Sequence, residues 1–285
     1  MITIHPYGGL CNRMRCIDSG IHLARDLGQR LRVIWEPNDD LNAEFYDLFK
    51  TVDHFSICNA PPLYAAYLVL GKKRCYKPIK EILKRRKKLI ILDGNIKKLF
   101  YEKNMRGKLS RYRHIYIYSF QRFMYPEEYD AFKPIDRIQR IVDAFTRRFN
   151  EHTIGLHIRR QDHEKAICES PLALFIERME NELLKRPGST FFLATDDVFV
   201  KHDLVQRFGS TVIKQEAELS RQTRSGAASA VVDLFALAKT NTIWGSSGSS
   251  FCETAHHIGN NDLIILRRGK NNDRISKSCT QTPVK

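Results

Sequence analysis

The sequence predicts an α/β protein built on parallel, doubly wound sheets, and three observations carry that reading. Short apolar runs alternate with helix-period segments through the second half, an order that places strands side by side with helical crossovers between them. The chain opens on a strand, a glycine turn, an amphipathic helix and a second strand, a βαβ-like start. The stretch Ile154-Gly-Leu-His-Ile-Arg-Arg-Gln-Asp162 sets two adjacent arginines and an aspartate just past a buried strand. Open α/β sheets hold their ligands at that end of a strand.

Each element follows from local pattern. Residues 2–5 read as the first strand and 6–11 as a glycine loop. A helix from Asn12 to Gly28 follows, with Ile17, Ile21 and Ala24 on one face, and then a strand over 31–35. Pro61-Pro62 marks a loop, and 89–92 and 115–118 are further strands. Pro134 starts a helix with Ile135, Ile138, Ile141, Val142, Phe145 and Phe149 on one side, ending near Asn150. The second half reads as strand 153–159, helix 172–185, strand 190–194, helix 197–207 and strand 211–213, then helix 228–239, strand 242–244, helix 250–258 and strand 262–266. Pro187-Gly188 interrupts this series. The expected division is a first domain over 1–150, a second over 151–270, and a flexible polar tail over 271–285.

Composition narrows the classes. A 42% hydrophobic content suffices for real cores, and no apolar run reaches the ~18 residues of a membrane-spanning helix. The N-terminus lacks the charged region and apolar core of a secretory signal. Seven cysteines show neither CxxC nor Cys/His metal spacing, so reduced thiols and a cytoplasmic location are expected. The formal charge of +15 is concentrated in Lys72–Lys88, which holds ten basic residues and one acid. That run suits a solvated helix face, or peripheral contact with anionic lipid at the inner face of a membrane or with an acidic glycan. No zinc finger, aromatic RNP strip or glycine-framed RNA loop accompanies it, so nucleic acid is not an expected partner.

Five motifs carry chemistry. Arg159 and Arg160 offer planar, bidentate donors suited to a diphosphate, with Asp162 orienting a guanidinium or an acceptor and His157 on the strand face of Arg159. Gly8, Gly9 and Asn12 lie between the first strand and first helix, where glycine lets the backbone approach a ligand and Asn12 can cap the helix; Arg13 faces a cleft or solvent. Asp196 and Asp197 end a buried strand and can bind sugar hydroxyls; adjacency argues against a metal pair, and one of them can cap the next helix. Ser249 and Ser250, in Gly245-Ser-Ser-Gly-Ser-Ser-Phe251, sit where amides and hydroxyls can nest a phosphate or cap a helix, without the lysine of a P-loop. Asp233, in the apolar helix AVVDLFALA, needs a partner, which either a guanine edge or a structural donor supplies.

In their order GGLCNRMR, HIRRQD, FFLATDD and VVDLFALAKT followed by GSSGSSF, these pieces resemble the GDP-fucose-dependent fucosyltransferases related to the core α1,6-fucosyltransferase, the rhizobial nodulation enzyme and the protein O-fucosyltransferases. The resemblance is strong over 153–258 and elsewhere confined to residues 8–15, and Gln161 departs from the usual Thr. It implies a GT-B fold, two Rossmann-like domains facing across a cleft, and metal-independent inverting transfer with GDP-fucose as donor substrate and no cofactor. By the same resemblance Arg159 holds the β-phosphate, Arg160 and Asp162 fill the next motif positions, and Asp196 and Asp197 are donor-site acids. Asp233 reads guanine, and Ser249 and Ser250 belong to the phosphate loop. The acceptor is a glycan or related hydroxyl compound, and Asp162, Glu164 and Glu169 are the candidate bases. The alternatives are a transferase of another GDP-sugar, a sulfotransferase, or a non-catalytic module binding nucleic acid or anionic membrane through Lys72–Lys88.

Overall fold

The computed structural model describes residues 1–51, 53–58, 87–100, 105–161, 164–216, 220–269 and 273–275. They fall into two units, Met1–Lys133 and Pro134–Lys285.

In the first unit, β1 (Ile2–Pro6) is buried along its whole length, as a central parallel strand must be. Helix α1 (Leu10–Leu27) crosses from it to β2 (Leu31–Ile34). Gly28 stops α1 at φ 59°, and the turn returns N–H groups to the carbonyls of Ala24 and Arg25. Gly20 lies so close to β1 that an added Cβ would stand 2.5 Å from Ile4. After α2 (Phe45–Leu48) and β3 (Ser56–Cys58) come β4 (Lys88–Leu92), α3 (Asp93–Phe100), α4 (Met105–Leu109) and β5 (His114–Ser119). The five strands are all parallel in the order β3-β2-β1-β5-β4, so the direction of strand addition reverses between β1 and β5.

The second unit begins with α5 (Asp136–Thr146) and then β6 (Thr153–Ile158), buried at every residue. Helices α6 (Glu164–Glu169) and α7 (Leu172–Lys185) lead to β7 (Thr190–Thr195), α8 (Val198–Phe208) and β8 (Val212–Lys214). The chain then crosses through α9 (Arg224–Leu237) to β9 (Thr242–Ser246), α10 (Ser250–Gly259), β10 (Asp262–Leu266) and β11 (Asp273–Ile275). The order β11-β10-β9-β6-β7-β8 is parallel except for the antiparallel edge strand β11, and the reversal falls between β6 and β9. Leu156, Ile158, Phe175, Met179, Phe191, Leu193 and Trp244 form its core.

Two expectations shift. The helix that was to close the first domain at Asn150 belongs to the second unit, because Phe145 and Phe149 bring their rings to 5.7 and 5.5 Å from Phe192 of β7. Residues 273–275, placed in a flexible tail, pair with β10; the rest of 270–285 lies outside the described residues. So does the loop at Pro61-Pro62, and so do residues 72–86 of the basic run; Lys87 turns at φ 52° and Lys88 opens β4. Among the described residues no helix is long and apolar enough to cross a membrane.

Helix α9 can start where it does only because residue 226 is glycine: a Cβ there would stand 1.8 Å from the carbonyl oxygen of Ser220. Gly226→Ala is expected to lower unfolding free energy in urea by about 1–3 kcal/mol, the usual cost of overpacking against backbone.

Candidate functional site

The carboxyl ends of β6, β7 and β9 meet at the reversal of the second sheet, and the polar residues of three motifs converge there. Burying β6 up to Ile158 delivers Arg159 and Arg160 at the rim. Arg159 is held by Asp196, whose Oδ2 lies 2.7 Å from Nη1, and its backbone N–H donates to Ser246 Oγ at 3.1 Å. The same Asp196 accepts from the backbone N–H of Arg160 at 2.8 Å. One carboxylate at the tip of β7 thereby fixes both the guanidinium and the turn that carries it, leaving the Arg159 side chain 21% exposed. Arg160 turns inward instead: it is buried and donates to the carbonyls of Arg159 and Ser170 at 2.8 and 3.0 Å.

Asp197 caps α8, accepting from the backbone of Phe199 and Val200 at 2.7 and 3.1 Å, so the two adjacent acids have separate tasks. His157 is buried, stacks on Phe251 at 4.9 Å between centroids, and stays neutral. Burial, then Arg159 and Arg160, push its pKa down to about 3. Its Nδ1 has no hydrogen-bond partner among the described residues.

The glycine–serine loop after β9 closes the rim. Ser246 donates to the His157 carbonyl at 3.3 Å while receiving the Arg159 N–H, and Gly248 turns the chain at φ 68°. Ser249 caps α10 by accepting from the Phe251 N–H at 3.3 Å, and Ser250 is the helix's first residue. A ten-residue helix therefore starts just past β9, the strand next to β6, its N-terminal dipole end adding partial positive charge to that rim. Glu169 is tied into this frame by Ser247, whose hydroxyl donates to it, and lies 3.8 Å from Arg267. Glu164, by contrast, is exposed at the start of α6; Asp162 lies outside the described residues.

Asp233 on α9 does have a protein partner. Gln215, just past β8, donates its amide to Asp233 and to the Ser229 carbonyl, and Lys201 donates to the Gln215 carbonyl at 3.0 Å. Burial outweighs the help of Gln215 and Lys201 and pushes the Asp233 pKa up to about 7.

The glycine motif sits in the first unit. Gly9 is the N-cap of α1, Gly8 turns at φ 79°, and Asn12 lies inside the helix, so the expected Asn12 cap is replaced by a glycine start. Arg13, expected at a cleft or in solvent, is wholly buried. It donates to the carbonyls of Gly8 and Glu36 and to Asn38 Oδ1 at 2.7–2.8 Å and lies over the Trp35 ring. Every direction of its fork is met, which is what allows an arginine to be buried.

Sequence reasoning missed Gln215, Lys201 and Ser170, and within the glycine–serine motif it did not foresee the separate tasks of Ser246 and Ser247. The first three are polar residues in ordinary positions, and only the folded sheet brings them to the motif residues.

The Asp233 carboxyl has a testable signature. Its pKa is raised from 3.8 to about 7 on folding, so between those values the native state binds more protons than the unfolded one and this group's contribution to stability falls as pH rises. Urea unfolding of unliganded Asp233→Asn across pH 4–7 is expected to show a flatter loss of stability than wild type; identical slopes would remove the assignment.

No protein-family model matches the chain, and no curated protein sequence does. Solved structures do resemble it. The Bradyrhizobium NodZ α-1,6-fucosyltransferase fold, in a crystal soaked with GDP-fucose, superposes with a TM-score of 0.67 at 19% identity, covering 96% of this chain and 98% of that one. Arabidopsis thaliana FUT1 in complex with GDP gives 0.64 at 14% identity over 95% and 70% of the two chains. POFUT1 in complex with GDP gives 0.53 at 11% over 92% and 97%. The chain has the GT-B-like α/β fold of these fucosyltransferases, with two Rossmann-like units in place of the one sheet a single nucleotide-binding domain requires.

Proposed function

We propose that the chain is a fucosyltransferase that moves fucose from GDP-fucose to a hydroxyl of a glycan by a metal-independent, inverting single displacement. The observation that carries this is Arg159, fixed by Asp196 at the reversal of a sheet whose next strand, β9, leads into the Ser249-capped start of α10. The fold is shared with enzymes crystallised with GDP and GDP-fucose, and the order of the motifs resembles that of GDP-fucose-dependent fucosyltransferases. In this reading residues 151–270 hold the donor and the first domain the acceptor, and no cofactor takes part. The acceptor oxygen attacks the anomeric carbon as the bond to the β-phosphate breaks, and the diphosphate leaves with the bonding electron pair.

Arg159 and the amides at the start of α10 stabilise the charge that collects on the leaving diphosphate. Arg160 acts one step back, shaping the turn that presents Arg159. Asp233 accepts the N1–H and amino protons of guanine, a role that requires its ionised form and that ligand binding would favour by lowering its pKa. His157, neutral and stacked on Phe251, walls the donor site. The acceptor proton goes to a carboxylate, and Glu164, exposed and outside the Ser247–Arg267 frame that engages Glu169, is the first choice; Asp162 is the other. Peripheral contact of Lys72–Lys88 with an anionic membrane surface from the cytoplasmic side completes the proposal.

Thermal unfolding without metal tests it. GDP and GDP-fucose at about a hundred times Kd are expected to stabilise the fold by roughly 2.7 kcal/mol, with UDP and ADP inert. At the same ligand concentration Arg159→Ala should cut the stabilisation at least about twofold and turnover by about 10²–10³-fold, the scale for one oxyanion donor. Equal stabilisation by ADP, or a fully active Arg159→Ala, overturns the reading.

A further inference from the structure

The two sheets reverse at equivalent places, β6/β9 in the second unit and β1/β5 in the first, yet the residues delivered there are opposite in character. The second unit presents Arg159. The first presents aromatic rings and carboxylates. On β1 and β5 the register sets His5 opposite Tyr118, and alternate residues of those strands and their exits put Tyr7, Tyr116 and Phe120 on the same face. Tyr7 and Tyr118 stack at 4.5 Å and 20°, and Phe120 meets Tyr7 edge-on at 5.2 Å. Both tyrosines are only half-buried, although they lie at the carboxyl end of the sheet's two central strands.

A buried relay ends beside them. Tyr116 Oη lies 2.6 Å from His5 Nδ1, and His5 Nε2 lies 3.2 Å from Glu36 Oε2. Burial keeps His5 neutral against the opposing pull of Glu36, so one proton arrangement satisfies all three groups: the phenol donates to Nδ1, and Nε2–H donates to the carboxylate. Two buried side chains thus orient a carboxylate that is itself 41% exposed. Asp93 orients Tyr7 in the same manner, bonding its hydroxyl while receiving Ser119 and Gln121. Burial, and then the charges of Glu36, Asp93 and Asp40, raise the pKa of the Tyr118 phenol. Of the nearby cations, Arg13 is spent on Gly8, Glu36 and Asn38 oxygens and holds the loop that carries Glu36, and Arg15 donates to the Phe120 carbonyl at 3.0 Å.

We propose that this edge is a saccharide-binding site, which seats an uncharged sugar ring on Tyr7 and Tyr118 and takes one of its hydroxyls on Glu36. Aromatic faces cover the apolar C–H face of a pyranose, and an oriented carboxylate accepts strongly from a hydroxyl. Glu36, Asp40 and Asp93 outnumber Arg13 and Arg15 at this edge, and that excess of carboxylates disfavours phosphate, sulfate or uronate and favours a neutral ligand even though the whole chain carries +15. That the sugar is the transfer acceptor rests on the function proposed above; that it binds here does not.

Saturation-transfer NMR with cellobiose, N,N′-diacetylchitobiose and cellobiouronic acid, run on the full chain, tests the site. The neutral disaccharides are expected to receive saturation, the uronic acid about tenfold less. Tyr118→Leu and the shape-preserving Glu36→Gln should abolish the neutral signals with unchanged circular dichroism and unchanged thermal stabilisation by GDP. Absence of transfer to the wild type from both neutral sugars overturns the site while GDP stabilisation leaves the transferase reading standing. Transfer that survives Glu36→Gln and Tyr118→Leu also overturns it. Saccharide binding lost in both variants, in a protein that GDP does not stabilise, would uphold the site and sink the transferase reading.

Discussion

Two guanidiniums on neighbouring residues at the end of a buried strand repel each other and resist burial, so the structure around β6 has to resolve that conflict before it can bind anything. It does so by separating them. Arg160 is folded back onto two carbonyls, and Arg159 is turned outward onto Asp196. Asp196 holds the arrangement from the tip of β7 through two contacts, one to the Arg159 guanidinium and one to the Arg160 backbone. Ser246, at the end of β9, supplies the third, accepting the Arg159 N–H. Three parallel strands must therefore end in register for one arginine to point the right way, and the parallel sheet is what guarantees it.

The remaining polar groups divide into those that finish the fold and those left for a ligand. Asp197 and Ser249 satisfy helix N-termini, Ser170 joins the ends of β9 and β10, and Ser247 engages Glu169. These contacts make the rim rigid in advance, and such preorganisation is what lets electrostatic stabilisation of a leaving diphosphate act without reorganisation cost. Asp233 is the exception: burial raises its pKa into the neutral range, a strain that two donors on a ligand edge would relieve.

Much of this was legible in the sequence. The alternation of elements located nearly every strand of the second unit, and the HIRRQ, ATDD and GSSGSS segments lie at the carboxyl ends of β6, β7 and β9, where the reading of the chain placed them. Local chemistry also foresaw that one aspartate and one serine would serve as caps. What escaped was long-range. Arg13 reads as a surface residue until Glu36 and Asn38 fold over it, and Gln215 has no motif to announce that it meets Asp233. The helix 136–146 was assigned to the wrong side of the division because its apolar face says that it packs, not on what. The alternation Tyr116, Tyr118, Phe120 was visible as a strand, but its meaning depends on β1 bringing His5 and Tyr7 alongside.

The account stands on Arg159 being a seat for a terminal phosphate, and comparing two nucleotides isolates that contact. Calorimetric titration of GDP and GMP into wild type and Arg159→Ala, without metal, measures the coupling between the β-phosphate and this guanidinium. The account expects GDP to bind wild type at least about tenfold more tightly than GMP, as a charge-assisted pair of roughly 1.5–3 kcal/mol requires, and the gap to close in Arg159→Ala. A gap that persists unchanged in the variant would place the diphosphate elsewhere and contradict the account at its base.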